Sequence, residues 1–243
     1  MISIGNAQTA TSAEIKLLTA GAYKQVVLAL LPEFEKQTGH KVIVQNDTVG
    51  ALVKRIEGGE AFDVVVISPT AIDELARKGK VVGNSRVNLA RVGIGVMVKE
   101  GTPRPDISAV EAFKKALLVA KSVAFIDPNS GGSSGIYLAG LFARLGILDQ
   151  IMPKAKLIHG GLVAEHIAQG EAEIGIHQIS EIALAKGVTL VGPLPDDIQR
   201  YTTYAAVLSA ATKAAEPATA LVKTLSGPLA APVLKSRGMG PGF

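Results

Sequence analysis

The chain has 243 residues, of which 48% are hydrophobic and 19% charged, and its formal net charge is +4. The basic residues are dispersed along the sequence without interleaved aromatic residues, which argues against a nucleic-acid surface and favours a small anion as ligand. No cysteine is present, so disulfides, thiolate metal sites and a cysteine nucleophile are excluded, and no segment reaches the roughly 20 apolar residues of a transmembrane helix.

A strand–helix–strand–helix–strand unit opens the predicted fold. Apolar periodicity predicts strands at 15–19, 41–44 and 63–68, and helices at 23–39 and 51–57. The third strand is an almost continuous β-branched run, which is typical of a strand buried on both faces of a parallel sheet. Ligands of such sheets bind beyond the carboxyl ends of the strands. These ends are residues 19–24, 46–50 and 68–70.

A second series of strands and helices follows. The pattern predicts strands at 87–98, 122–126, 156–158, 174–176, 188–191 and 202–209, and helices from Ser108 and at 136–145, 162–168, 216–225 and 229–235. We therefore predict an α/β protein with two lobes, mixed and mostly parallel sheets, and a ligand cleft between the lobes. Lobe I is predicted to comprise residues 14–92 and 204–243, and lobe II residues 93–203. Residues 1–13 are polar and are interpreted as the remnant left where an export signal was removed or replaced.

The loop at 129–135 is the strongest ligand-binding signal in the sequence. It offers glycines and the hydroxyls of Ser130, Ser133 and Ser134 directly before a predicted helix, whose first N–H groups attract anions. The loop matches neither the Walker pattern nor GxGxxG, so nucleotide binding receives little support. The alternative interpretation is an ordinary flexible turn.

Three other residues are candidates because they follow predicted strands. Lys24 stands in the first turn of a helix, where its charge is unfavourable unless an anion is bound; the alternative is a solvated side chain. Thr48 adds a hydroxyl donor. His177 ends a buried strand and is an acid/base or hydrogen-bonding candidate; the alternative is a histidine satisfied by its neighbours. The histidines form no metal-binding pattern, so we predict neither a metal nor a cofactor.

Three blocks of sequence resemble the molybdate-binding-protein-like branch of the type II periplasmic solute-binding proteins. They are LTAGAY at 18–23 with the helix end PEFEKQTG at 32–39, GALVKRIEGGEAFDVVVIS at 50–68, and the stretch from Asp127 to Tyr137. The resemblance extends from Ala13 to Leu234. It implies two α/β lobes joined by crossing strands, an oxyanion or carboxylate in the cleft, export from the cytoplasm, and delivery of the ligand to a membrane transporter.

The expected ligand residues depart from this family pattern. Molybdate-binding members are expected to offer a serine hydroxyl after the first strand, where this chain has Ala22 followed by Tyr23. A serine-rich loop is replaced by the segment that contains Thr48, and His177 stands where the family is expected to have a tyrosine. These changes favour an organic anion with several carboxylates over the symmetric molybdate ion.

Two functions follow from this resemblance. The first is a binding protein that hands a multi-carboxylate anion to a transporter permease. The alternative is an aconitate isomerase on the same fold, which interconverts cis- and trans-aconitate by moving a proton and would use His177 and Tyr23 as its acid/base groups. We expect an exported, periplasmic monomer without a nucleic-acid partner in both cases. The predicted ligand-binding residues are Ala22, Tyr23, Lys24, Thr48, Ser133, Ser134 and His177.

Overall fold

A computed structural model describes residues 12–242, so the prediction for residues 1–13 falls almost entirely outside the described residues. The described strands are β1 Glu14–Ala20, β2 Lys41–Asp47, β3 Val64–Ile67, β4 Val87–Lys99, β5 Val123–Ile126, β6 Ala155–Ile158, β7 Ile174–Gln178, β8 Val188–Pro193, β9 Tyr201–Leu208 and β10 Met239–Pro241. The described helices are α1 Gly21–Thr38, α2 Val49–Glu57, α3 Pro69–Arg77, α4 Val110–Val119, α5 Ser133–Arg144, α6 Leu148–Ile151, α7 Val163–Ala168, α8 Ile179–Ile182, α9 Ala215–Ser226 and α10 Ala230–Ser236.

The strands form one curled path in the order β2-β1-β3-β9-β4-β7-β5-β6, with β8 and β10 added to β4. Lobe I contains β1, β2, β3, β9 and β10, and lobe II contains β5, β6, β7 and β8. Strand β4 belongs to both, because it pairs with β9 up to Gly93 and with β7 from Ile94 onward. The predicted two-lobed α/β fold is therefore confirmed, while the exact lobe bounds at 92/93 and 203/204 stay a prediction.

The direction of the strands differs from the prediction in one detail. The strand pairings described in residues 12–242 comprise four parallel and five antiparallel ones, so the sheets are mixed but not mostly parallel. The antiparallel pairings all involve β4 or β9, the two long strands that pass between the lobes. A strand that carries the chain from one lobe to the other runs against its neighbours, which apolar periodicity does not reveal.

Strand β3 shows why the central strands read as continuous apolar runs. Its four residues are fully buried. Val64 and Val66 belong to the core beneath α1 and α9, and Val65 and Ile67 belong to the core beneath α2 and α3. Both faces of the lobe I sheet are thus covered by helices, as the β-branched run predicted.

Lobe II is built in the same way. Its two apolar cores lie on opposite faces of its sheet, one centred on Phe113, Phe125 and Phe142 and the other on Met97 and Ile126.

No single helix within residues 12–242 is long and apolar enough to cross a membrane. The bent pair of helices Ser133–Arg144 and Leu148–Lys154 is long and apolar enough only when the two are taken together.

Candidate functional site

A cavity of about 470 Å³ lies between the two lobes. It forms where β1 and β2 of lobe I and β5 and β7 of lobe II end, at the edge where ligands of α/β sheets bind. Its walls come from the residues that follow these strands and from the first turns of the helices after them. The residues that line it are Ala20–Ala22, Lys24, Gln25, 46–49, Ile126, 132–134, 160–162, Glu165, His177, Gln178, Ser180, Glu181, Leu184, Ala185 and Tyr204.

The N-terminal ends of α1 and α5 supply backbone donors to this cavity. Their cap residues, Ala20 and Gly132, form no side-chain cap hydrogen bond, and neither first turn contains an acidic residue. The first N–H groups of a helix have no partner within the helix, and the helix dipole makes this end attractive to negative charge. Two such ends facing one cavity from opposite lobes form an anion-binding arrangement.

Six of the seven predicted ligand-binding residues line the cavity together. Ser133 and Ser134 open α5, and Ser134 is buried. Lys24 forms no ion pair with any of residues 12–242, so its ammonium group is available to an anion. The six residues are Ala22, Lys24, Thr48, Ser133, Ser134 and His177.

Tyr23 does not belong to this set, and its assignment is corrected. The side chain is completely buried in the core of lobe I, and its hydroxyl donates a hydrogen bond to the carbonyl oxygen of Leu225 in α9, at 3.2 Å. Helix α1 begins at Gly21, two residues before the predicted start, and the spacing of Tyr23 from Val26, Val27 and Leu30 places it on the apolar stripe of this helix. The residue stabilises the lobe and does not reach the cleft.

The hydroxyl of Thr48 is already engaged within the protein. Thr48 caps α2 by accepting a hydrogen bond from the N–H of Ala51 at 3.2 Å, and it donates its own hydrogen to the carbonyl oxygen of Ser130 at 2.5 Å. Ser130 is likewise occupied, since its hydroxyl donates to the carbonyl oxygen of Asp127 at 2.7 Å. These bonds order the predicted anion-binding loop and tie it to lobe I.

Glu181 lines the cavity but was missed by the sequence reasoning. It follows β7 on the short helix α8, and its side chain is only 10% exposed although it lines the cavity. One carboxyl oxygen, Oε2, lies 3.2 Å from Nε2 of His177, which is four residues earlier on β7. Burial raises the pKa of Glu181 to about 8 and lowers the pKa of His177 to about 4. Desolvation penalises both charged forms, so near neutral pH this pair holds a proton on the acid rather than forming an ion pair.

Further polar atoms lie beside the His177–Glu181 pair, some with hydrogen-bond partners and some without. Gln178 donates from Nε2 to the hydroxyls of Ser133 at 3.1 Å and of Thr202 at 3.0 Å. The buried atoms Nδ1 of His177, Oε1 of Gln178 and Oγ of Ser180 have no hydrogen-bond partner among residues 12–242. Buried polar atoms in folded proteins are nearly always paired, so these three atoms require a partner from outside the described residues, such as an ordered water or a ligand group.

Tyr204 was also missed by the sequence reasoning. It lies on β9, is buried, and lines the cavity beside Ser133 and Glu181. Burial raises the pKa of the Tyr204 phenol above its ordinary value, so it stays protonated and can donate a hydrogen bond. The sequence contained no signal for either residue: Glu181 reads as an ordinary acidic residue on a short helix, and Tyr204 precedes no loop.

The fold and the cleft together define a two-lobed protein of the solute-binding class. A family model of bacterial extracellular solute-binding proteins matches residues 15–240, and the chain belongs to this family. An aconitate isomerase from a Pseudomonas species is 34% identical over 233 residues, which are 93% of this chain and 87% of that protein. The molybdate-binding protein ModA of Azotobacter vinelandii is 28% identical over 239 residues, which are 95% of this chain and 91% of that protein.

The solved structures agree with this fold. The periplasmic molybdate-binding protein of Azotobacter vinelandii superposes with a TM-score of 0.79 at 21% identity, covering 93% of this chain and 98% of that one. The predicted similarity to the molybdate-binding-protein-like branch is confirmed.

Proposed function

We propose that this protein is an isomerase of the aconitate isomerase type, which moves a proton between two allylic carbons of a tricarboxylate bound in the interlobe cleft. The observation that carries the proposal is the buried carboxyl of Glu181 at 3.2 Å from His177. A general acid–base group works best when its pKa lies near the operating pH, and burial raises the pKa of Glu181 to about 8. The identity of 34% to an aconitate isomerase supports the same choice.

The proposed reaction needs one group that takes a proton and gives it back. Ionised Glu181 removes a proton from the methylene carbon of aconitate, and the electron pair of that C–H bond is delocalised over the allylic system and its carboxylate. The protonated Glu181 returns the proton to the former vinyl carbon, so the double bond moves and no other reactant is consumed. His177 accepts a hydrogen bond from the protonated Glu181 and holds the carboxyl in place.

The carboxylates of this substrate require donors in the cleft. The free N–H groups at the starts of α1 and α5 and the ammonium group of Lys24 are the donors we assign to them. Preorganised donors also stabilise the negative charge that develops as the proton leaves. Ser134 and Tyr204 add hydroxyl groups at the same wall.

A proton NMR time course of trans-aconitate with the purified protein tests this function. We expect cis-aconitate to appear at catalytic protein concentrations. Glu181→Gln, which keeps the size of the side chain, should lower turnover by on the order of 100-fold or more. Glu74→Gln on the exposed face of α3 is the matched control and should retain full turnover. Absence of turnover in the unaltered protein would reject the isomerase.

The second candidate is a solute-binding protein that delivers a small anion to a membrane transporter. Membership of the solute-binding family and the ModA relatives favour it. For this function we propose a multi-carboxylate ligand over molybdate, because Ala22 lines the cavity where molybdate-binding members of the family are expected to offer a serine hydroxyl, and His177 lines it where they are expected to have a tyrosine. A thermal-shift panel of molybdate, sulfate, citrate and both aconitates separates these ligands; a large shift by molybdate alone would contradict the carboxylate.

We propose the periplasm as the site of either function, since the family comprises extracellular solute-binding proteins. Under the second candidate the partner is a transporter permease, and under the first no partner is needed. We propose a monomer in both cases, because one chain supplies both walls of the cleft. Size-exclusion chromatography with light scattering tests the oligomeric state.

A further inference from the structure

We propose that Gly21 of lobe I positions the carboxyl group of Glu181 across the cleft. The carboxyl group is then held in place only when α1 of lobe I lies against it. The kinetic part of this inference rests on the proposed isomerase function; the structural part does not. A Cβ atom added to Gly21 would lie 2.9 Å from Oε1 of Glu181, a separation that real Cβ contacts do not show. The other carboxyl oxygen is turned toward His177 within lobe II.

The backbone at Gly21 gives no other reason for a glycine. Ten glycines of the described chain have positive φ angles that favour this residue, and Gly21 is not among them. It is the first residue of α1, where alanine is the better helix former. The space that a side chain would fill is instead occupied by the end of the Glu181 side chain. Gly21 is therefore a positioning residue for Glu181.

This contact explains how Glu181 becomes buried. Helix α8 contacts both lobes, because Ile182 belongs to a lobe II core and Ile179 packs against the lobe I core. The carboxyl of Glu181 meets α1 of lobe I at Gly21, so moving α1 away from α8 returns the carboxyl to water. The contact with α1 thereby desolvates the acid, and desolvation favours its protonated form. The other titratable groups that line the same cavity come from β7, α1, β2, α7 and β9 and are His177, Lys24, Asp47, Glu165 and Tyr204.

Gly21→Ala is the informative variant because the protein can fold with it. The added Cβ meets Oε1 at the end of the flexible Glu181 side chain, which can move away, and alanine raises the helix propensity of α1. We expect thermal stability to be kept and kcat for trans-aconitate to fall about tenfold or more, with KM changed less than about threefold. In the Glu181→Gln background the same substitution should lower kcat no further. Gly140→Ala in α5, where a Cβ has no close neighbour, is the control.

A titration independent of turnover completes the test. In protein labelled with ¹³C at the glutamate carboxyl carbons, the Glu181 signal is the one that Glu181→Gln removes. We expect Gly21→Ala to lower the titration midpoint of this signal by about one pH unit, because the displaced carboxyl is hydrated. An unchanged midpoint overturns the inference, whatever happens to kcat. If the unaltered protein has no isomerase activity, the proposed function fails, yet the titration still decides whether Gly21 positions Glu181.

Discussion

Thr48 of lobe I and Ser130 of lobe II are joined by a hydrogen bond of 2.5 Å, which the threonine hydroxyl donates to the serine carbonyl oxygen. Beside it, the N–H of Gly50 donates to the carbonyl oxygen of Gly131 at 3.2 Å. A Cβ on Gly50 would lie 2.9 Å from Cα of Gly131, so the two backbones touch where neither residue has a side chain. The lobes are therefore closed on each other at this end of the cleft.

Replacing Gly50 by alanine should hold this end of the cleft open. The added methyl group meets backbone rather than a flexible side chain, so the loop at Gly131 must move away. We expect the affinity for trans-aconitate, measured by calorimetry, to fall about tenfold, or about 1.4 kcal/mol. Gly140→Ala is again the control, because its Cβ would lie 3.6 Å from the nearest atom, Nη1 of Arg144. Equal affinity in both variants would contradict closure at Gly50.

Tyr23→Phe should leave turnover unchanged and lower stability. The substitution removes the hydroxyl that bonds to Leu225 and leaves the aromatic ring in the core. We expect the free energy of unfolding, measured with urea, to fall by about 0.5–1.5 kcal/mol. A tenfold or greater loss of turnover at saturating trans-aconitate would show that Tyr23 takes part in the reaction.

The stability of the protein should fall between pH 6.5 and 8. In the unfolded chain Glu181 loses its proton near its ordinary pKa of 4.5, whereas burial holds the pKa of the folded group at about 8. His177 acts with the opposite sign below pH 6.5, because burial lowers its pKa from 6.5 to about 4. Above pH 6.5, of these two groups only Glu181 differs between the folded and unfolded states, and it keeps its proton only in the folded protein, so raising the pH favours unfolding.

Thermal melting of Glu181→Gln against the unaltered protein measures this effect. The unaltered protein should lose on the order of 2 kcal/mol relative to the variant between pH 6.5 and 8. Glu165→Gln changes an exposed carboxyl at the same cavity and should follow the unaltered protein. Parallel curves for Glu181→Gln and the unaltered protein would show that the carboxyl is not buried in its acid form.

Two glycines of α5 should respond oppositely to alanine. A Cβ at Gly135 would lie 2.1 Å from the carbonyl oxygen of Ile126, so this substitution must push the helix away from β5. We expect a loss of about 3 kcal/mol or more in urea denaturation. Gly140→Ala on the same helix meets no backbone and should gain about 0.5–1 kcal/mol. Similar stabilities for the two variants would contradict the close contact between α5 and β5.

Local patterns were sufficient to predict most of the fold. The β-branched run of β3 indicated a strand covered on both faces, and its residues do contact two separate cores. The spacing of Tyr23 from Val26, Val27 and Leu30 also placed it on the apolar stripe of α1. The prediction gave more weight to its position near the helix start, and two residues of error in that start produced the wrong role.

The role of Glu181, the acid of the proposed site, could not be predicted from local patterns. Glu181 reads as an ordinary acidic residue on a short helix, and its burial depends on Gly21, which is distant in sequence and belongs to the other lobe. Periodicity and spacing within a segment contain no information on such a contact. The same holds for Tyr204, which reaches the cavity because β9 crosses between the lobes.

The pairing of β3 with β9 sets an order of assembly for the newly made chain. Val64 pairs with Leu208, so the sheet of lobe I stays open beside β3 until almost the whole sequence is available. The strands β5, β6 and β7 of lobe II lie within residues 123–178 and can join earlier, since the entropy lost on closing a loop grows with the length of the loop. Until β9 arrives, the exposed edge of β3 is the segment most in need of protection from pairing with other chains.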